Sequence, residues 1–221
     1  MNMNTFLKIE GIPSPGARIY SWIAKKNPIM RDLYKDVADD VTSKITSGTV
    51  LDVGTGPGYL PIEIAGKSSR LEITGIDISP GMVKIANKNA INMGLSDRME
   101  FHLASAAELP FDDGHFDLVL STLSLHHWLH PAVYITEIHR VLKKNGEAWI
   151  YDIRRDTSKE TDTKLKRKYG WLMSFIFLNI VRTHSSITVK EVEKIISSLE
   201  ISFSSTKILD NGIFLKLQLS K

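Results

Sequence analysis

Two aspartates, a run of alternating glycines and a histidine pair are the residues of this chain whose types and spacing could do chemistry. In Asp52-Val53-Gly54-Thr55-Gly56-Pro57-Gly58 a β-branched, apolar run ends in an acid and then in a glycine at every second position. That is the pattern of a buried strand stopping at a tight turn, where a ligand comes close to the backbone and a Cβ would obstruct it. A dinucleotide turn wants G-x-G-x-x-G, and counting from Gly54 its third glycine would fall on Tyr59. A Walker-type phosphate loop is excluded as well, because no Gly-Lys-Ser/Thr follows. The second acid closes Gly75-Ile76-Asp77-Ile78-Ser79. At the end of a second strand its carboxylate would face the adjacent crevice and accept from both hydroxyls of a ribose. The third group is Leu125-His126-His127-Trp128. Histidine titrates near pH 6.5 in model peptides, so either ring could take a proton from a hydroxyl or an acidic carbon.

The elements that must position these groups alternate. Strands are expected at Thr49–Val53, Leu71–Asp77, Met99–Leu103, Phe116–Ser121 and Glu147–Ile153. Helices are expected at about Leu60–Gly66, from Ser79 to near Gly94, and from Pro131 to Leu142, the last stopped by Lys143-Lys144-Asn145-Gly146. Such alternation implies an α/β, doubly wound, Rossmann-like and mostly parallel sheet, whose ligands bind at the carboxyl edge. Before it, a breaker cluster at Gly11–Ala17 delays regular structure until after Pro15. Two helices then follow, split at Asn27-Pro28. In the first, Ile19, Trp22 and Ile23 share a face that should pack on the sheet or lie over its ligand edge; in the second, Leu33, Val37, Val41 and Ile45 recur at helical spacing. After the fifth strand, a charged stretch from Arg154 to Lys168 and a bulky apolar one from Tyr169 to Val181 read as a helical insertion. It would serve as a cap, a substrate wall or a dimer surface. A helix from Val189 to Leu199 and strands at about Ile201–Lys207 and Ile213–Leu219 close the chain, with Asn211-Gly212 marking an antiparallel hairpin.

Composition bounds the class. At 221 residues, 43% apolar and 24% charged, the chain fits one globular domain, read as an N-terminal helical lid (1–47), a core (48–155), an insertion (156–183) and a C-terminal helix and hairpin (184–221). A charge of +3 says little about partners. No cysteine means no disulfide and no thiolate metal site, and no carboxylate-histidine cluster suggests a metal. Met1–Glu10 lacks the arrangement of a signal peptide, and Trp171–Val181 is too short to cross a bilayer, so a cytoplasmic location is expected.

Five motifs in order carry a resemblance: Val50–Leu60, Gly75–Met82, Ala106–Phe111, Phe116–Val119 and Glu137–Leu142. The chain resembles the class I S-adenosylmethionine-dependent methyltransferases over roughly Gly48 to Arg155. It looks most like the branch of the ubiquinone/menaquinone-biosynthesis and small-molecule methyltransferases. That resemblance implies a seven-stranded sheet with an antiparallel last strand. It places the backbone of Gly54, Gly56 and Gly58 against the methionine part of the cofactor, Asp52 near its ammonium, and Asp77 on the ribose. Ile78 and Met82 would flank the adenine, Ser105 and Ala106 would pass its edge, and Ser121 would line the crevice beside the sulfonium. Many relatives carry an aspartate where Ser105 stands, which leaves the adenine contact to the Ala106 backbone NH. In look-alike enzymes an N-terminal helix lids the cofactor, which would bring Tyr20 to it. His126 is expected in the cofactor pocket as a proton acceptor, with His127 pointing outward.

The reading is therefore S-adenosyl-L-methionine as cofactor, S-adenosyl-L-homocysteine as product, and a small-molecule acceptor with hydrophobic bulk entering beneath the N-terminal helices and the insertion. A homodimer through Trp171–Val181 is the other use of that apolar stretch. The alternatives are an RNA or protein methyltransferase that holds its target with the Lys164–Lys168 run, or a non-catalytic binding module. The absence of an Asn-Pro-Pro-Tyr-type motif after the fourth strand weighs against nucleic acid.

Overall fold

The computed structural model describes residues 14–221; the expectations for 1–13 lie outside the described residues. Val50 to Val53 are buried without a break, as a strand covered on both faces must be. This strand, β1 (Gly48–Val53), sits in a seven-stranded sheet with β2 (Leu71–Asp77), β3 (Met99–Leu103), β4 (Phe116–Thr122), β5 (Leu142–Ile153), β6 (Ser205–Asn211) and β7 (Phe214–Ser220). The order is β3-β2-β1-β4-β5-β7-β6, with β7 antiparallel to both neighbours and β1 to β5 parallel. The order therefore reverses between β1 and β4, and a crevice opens at the carboxyl ends of that pair.

One face of the sheet is covered by α2 (Pro28–Lys44), α3 (Tyr59–Lys67) and α4 (Pro80–Asn92), which supply Leu33, Val37, Ile64 and Ala86 to the core. The other is covered by α5 (Pro131–Val141) and α9 (Val189–Ser197), through Ile135, Ile138 and Val192. The Thr188 hydroxyl and the Glu191 carboxylate form a capping box at the start of α9. The insertion is helical as expected: α6 (Lys159–Tyr169), α7 (Trp171–Ile176), a π-helical turn (Phe177–Val181) and α8 (Arg182–His184). It buries Leu165, Phe177 and Leu178 beside α2 and β5.

Three boundaries differ from expectation. The first helix, α1 (Ser14–Lys26), begins one residue before Pro15, which the first turn tolerates because proline lacks only an N–H that would be unpaired there. β5 begins at Leu142 instead of Glu147, because Lys143 to Gly146 continue as an irregular strand start with Asn145 at φ 66 and a register shift against β4. β6 begins at Ser205, four residues late.

The face of α1 is a correction. Ala17, Ser21 and Ala24 are buried, and Ile19, Trp22 and Ile23 point outward, Trp22 being 65% exposed. Periodicity shows that two sides of a helix differ, and here the small side is the one that packs.

Candidate functional site

At the carboxyl edge, β1 turns into α3 through the glycine run, with Gly54, Gly56 and Gly58 all at positive φ. Gly54 could carry no side chain, since a Cβ there would overlap the Ser124 hydroxyl across the crevice. Gly58 answers a different need: a Cβ would stand 3.0 Å from the Phe101 ring and 3.1 Å from Ala86, so it allows the turn to pack on β3 and α4. Asp77 fastens this turn. Its two oxygens accept from the backbone N–H of Gly56 and of Ser79, each at 2.8 Å, and burial raises its pKa against those two bonds.

The crevice encloses about 950 Å³ of empty space, part of it open to solvent, which suits a small-molecule site. Of the residues the sequence singles out, Tyr20, Gly54, Gly56, Asp77, Ile78, Met82, Ser105 and Ala106 line it. Asp52, Gly58, Ser121 and His126 do not. Ser121 is fully buried and donates to the Val53 carbonyl at 2.9 Å, bracing β1 against β4. Asp52 lies behind the turn at 1% exposure, with Oδ1 unpaired. Burial pushes its carboxyl up to about 7; Thr55 works against this and Asp77 adds to it.

The histidines are arranged the other way round from the expectation. His127 lines the crevice, and His126 lies behind it, their ring centroids 4.0 Å apart. His126 Nδ1 is 2.7 Å from Asp152 Oδ1, and its backbone N–H donates to Asp152 Oδ2 at 2.9 Å. Asp152 is completely buried, so Nδ1 carries the proton and Nε2, also buried, is left as a bare acceptor without a partner. Sequence reasoning paired His126 with nothing. The 3-10 turn at Leu125–His127 and the end of β5 meet only because β4 and β5 are neighbours in the sheet.

Tyrosines gather at this end of the site, the expected Tyr20 together with Tyr34, which the sequence did not single out. Tyr34 lines it, and its phenol is pushed well above its usual range by burial, with Tyr20, Asp52 and Tyr59 adding to the shift. Burial pushes the Tyr20 phenol up to about 12, with Asp77 and Asp152 adding to it. Tyr59 occupies the place a third dinucleotide glycine would need. Its hydroxyl donates to the Ser21 carbonyl at 3.1 Å and shares a second bond with the Ser21 hydroxyl at 2.8 Å, holding α1 over the turn. On the far wall, Leu123 is held at φ 58, a strained conformation for a branched side chain.

The loop that carries Ser105 and Ala106 is fixed from α5. Arg140 donates to the carbonyls of Leu109 and Phe111 and to Asp113, while Glu137 accepts from the Leu109 N–H at 2.9 Å. Two of the six residues in the motif Glu137–Leu142 thus brace the loop that brings Ser105 and Ala106 to the crevice. No residue of 156–183 lines the crevice, so the expected second half of the cap lies elsewhere.

Residues 51–150 match the sequence profile of a methyltransferase domain family. The chain is 34% identical over 114 residues to a sterol 4-C-methyltransferase of Caenorhabditis elegans, covering 52% of this chain and 34% of that one. It is 34% identical over 112 residues to a ubiquinone/menaquinone biosynthesis C-methyltransferase of Geobacter sp. (strain M21), covering 50% and 48%. A Methanococcus maripaludis protein assigned as an S-adenosyl-L-methionine-dependent methyltransferase superposes over the whole chain and 97% of its own, with a TM-score of 0.74 at 27% identity. Over residues 51–150 the chain thus matches a methyltransferase domain. It spans about half or less of the length of these two curated relatives, and the methyltransferase domain covers the glycine turn, Asp77, the histidine pair and the Glu137–Arg140 brace.

Among the described residues, no group of three histidine, cysteine or acidic side chains could hold a metal, and no helix is long and apolar enough to cross a membrane.

Proposed function

We propose that the protein transfers a methyl group from S-adenosyl-L-methionine to a small-molecule acceptor by in-line displacement, releasing S-adenosyl-L-homocysteine. One observation carries the reading. Among the described residues, five buried side-chain polar atoms lack partners, and four of them belong to the elements around the crevice: Asp52 Oδ1, Thr55 Oγ1, Ser79 Oγ and His126 Nε2. A buried polar atom without a partner costs on the order of 1–3 kcal/mol, so their concentration in the elements that wall the crevice, Thr55 on its surface and the others behind, marks it as the part of the fold a polar ligand completes. An anion on one side and neutral hydroxyls beside it suit a ligand with an ammonium and a ribose.

The residues present fit that cofactor. Asp52 would balance the ammonium, and Asp77, whose oxygens keep further lone pairs, would accept from the ribose. Ile78 and Met82 offer the apolar walls an adenine needs, and the Gly54–Gly56 backbone lets the methionine part approach. When bound, the cofactor supplies a methyl carbon made electrophilic by a cationic sulfur. Tyr20 and Tyr34 exclude water from that half of the crevice, with Tyr59 holding α1 over it through Ser21, which strengthens every charge interaction inside it. Where the acceptor atom bears a proton, His127, which lines the crevice, takes it, and the His126–Asp152 pair packed behind holds its ring in place. The C-methylating relatives support an acidic carbon as the nucleophile, on an acceptor with hydrophobic bulk; Trp128 and Tyr134 line the crevice beside the histidine turn and suit such a body. A cytoplasmic location is a further part of this reading.

Calorimetric titration with S-adenosyl-L-homocysteine tests it. Saturable binding at one site is expected, and absence of binding at millimolar ligand would sink the proposal.

A further inference from the structure

Two helical faces remain that the crevice does not use. On α1, Ile19, Trp22 and Ile23 point outward. On the continuous helical stretch from Trp171 through the π-helical turn, Trp171, Leu172, Phe175, Ile176 and Ile180 do the same, with Trp171 69% exposed and its ring stacked on Phe175 at 5.5 Å. Exposed apolar residues scattered singly need no explanation, but two ridges each carrying a tryptophan do.

They lie at one end of the molecule. The Asp32 carboxylate, in the second turn of α2, accepts from the Tyr169 hydroxyl at 2.7 Å and pairs with Lys168 at 2.7 Å. This ties the end of α6, two residues before Trp171, to the start of α2, where α1 has just ended. Both ridges therefore sit at the carboxyl edge, on the same side of the sheet as the mouth of the crevice, which Tyr20 of α1 lines.

The charge on the two ridges' own helices is basic next to the exposed aromatics, with Lys168 held by Asp32 of α2. α1 carries Arg18, Lys25 and Lys26 and no acid, and all three are exposed. The last turn of α6 carries Lys166, Arg167 and Lys168, while α7 and the π-helical turn carry no charge at all. Aromatic and aliphatic side chains on one face with lysine and arginine at the margins are what an anionic lipid surface selects. A second copy of the chain is disfavoured by the same charges, because an isologous interface would bring like-charged margins together.

We propose that the α1 ridge and the Trp171–Ile180 ridge dock the protein on an anionic lipid bilayer, with the mouth of the crevice turned toward it. The surface would deliver a lipophilic acceptor without its passing through water. Docking rests on these two faces alone and stands whether or not the crevice takes S-adenosyl-L-methionine.

The full chain provides its own probe. Of the four tryptophans, Trp22 and Trp171 are exposed while Trp128 and Trp149 are buried. Adding phosphatidylglycerol-containing vesicles should shift tryptophan emission to the blue and carry the protein upward in a flotation gradient, and neutral phosphatidylcholine vesicles should do neither. Each of Lys26→Glu and Arg167→Glu should weaken partitioning about fivefold or more, and added salt should weaken it further. Trp22→Ser with Trp171→Ser should abolish it while leaving the melting temperature and S-adenosyl-L-homocysteine binding unchanged. Failure to float with anionic vesicles, or equal flotation with neutral ones, overturns the proposal. So does a dimer in sedimentation that Trp171→Glu dissociates.

Discussion

The two edges of the sheet differ in how the polar groups at their strand ends are paired. At the amino edge Asp117 accepts from the Thr49 N–H at 2.8 Å and from the Thr49 hydroxyl, and pairs with Lys143 at 2.8 Å. Lys221 donates to the carbonyls of His139 and Leu142 close by. At the carboxyl edge Asp52, Thr55, Ser79 and His126 each keep a buried atom unpaired. Both edges use the same residue types at strand ends. Bare polar atoms cost stability, so a fold that closes its accounts at one edge and not at the other marks the second as the place where a ligand completes the set.

The comparison can be broken most forcefully at Asp52. Its folded pKa, about 7, lies above the unfolded value of 3.8, so its contribution to stability is fully present below about pH 3.8 and is lost as pH rises through 7. Asp52→Asn should therefore stabilise the unliganded protein at pH 8 by up to about 4 kcal/mol, read by chemical denaturation, and flatten the pH dependence between 4 and 7. The same change should weaken cofactor binding and remove the proton release that accompanies binding near pH 6. A titration in buffers of different ionisation enthalpy measures that release, and an unchanged proton count would put Asp52 outside the site.

Next in size is the His126–Asp152 pair. Asp152→Asn and His126→Ala should each lower kcat on the order of 100-fold, and the double variant should be no worse than the singles, because the two act as a unit. Binding of S-adenosyl-L-homocysteine should change little. An additive double variant would separate their roles.

Asp77→Asn leaves an amide where two N–H donors and a ribose expect an anion, and should weaken S-adenosyl-L-homocysteine binding about tenfold or more. The matching change at the other edge, Asp117→Asn, should cost about 1 kcal/mol of stability and leave the ligand affinity alone. Equal effects of these two variants on affinity would erase the contrast between the edges. The smallest effect is expected from Tyr59→Phe, which unlatches Ser21 and should raise the cofactor dissociation constant only about threefold, with faster hydrogen exchange in α1 as its signature.

Much of the core was legible because it depends on local rules. Alternation marked the strands and helices, glycine at every second position marked the turn, and an acid at the end of β2 marked a wall of the crevice. The errors share a cause. The outward face of α1 and the exchange of roles between His126 and His127 both concern which of two sides of a short element faces inward, and adjacent positions in sequence carry no sign of that. The Tyr59–Ser21 latch spans 38 positions and the Arg140 brace about 30, so neither leaves a local trace.

The sequence alone determined the doubly wound order, the place of the glycine turn and the exclusion of a dinucleotide at Tyr59, since backbone freedom and hydrophobic period act over a few residues. Only the tertiary structure decided that Asp152 stands behind His126, that Tyr20 and Tyr34 line one end of the crevice, and that two tryptophan-bearing ridges face out at the same end. Those are consequences of which strands become neighbours and which helix faces find a partner, and long-range packing settles both.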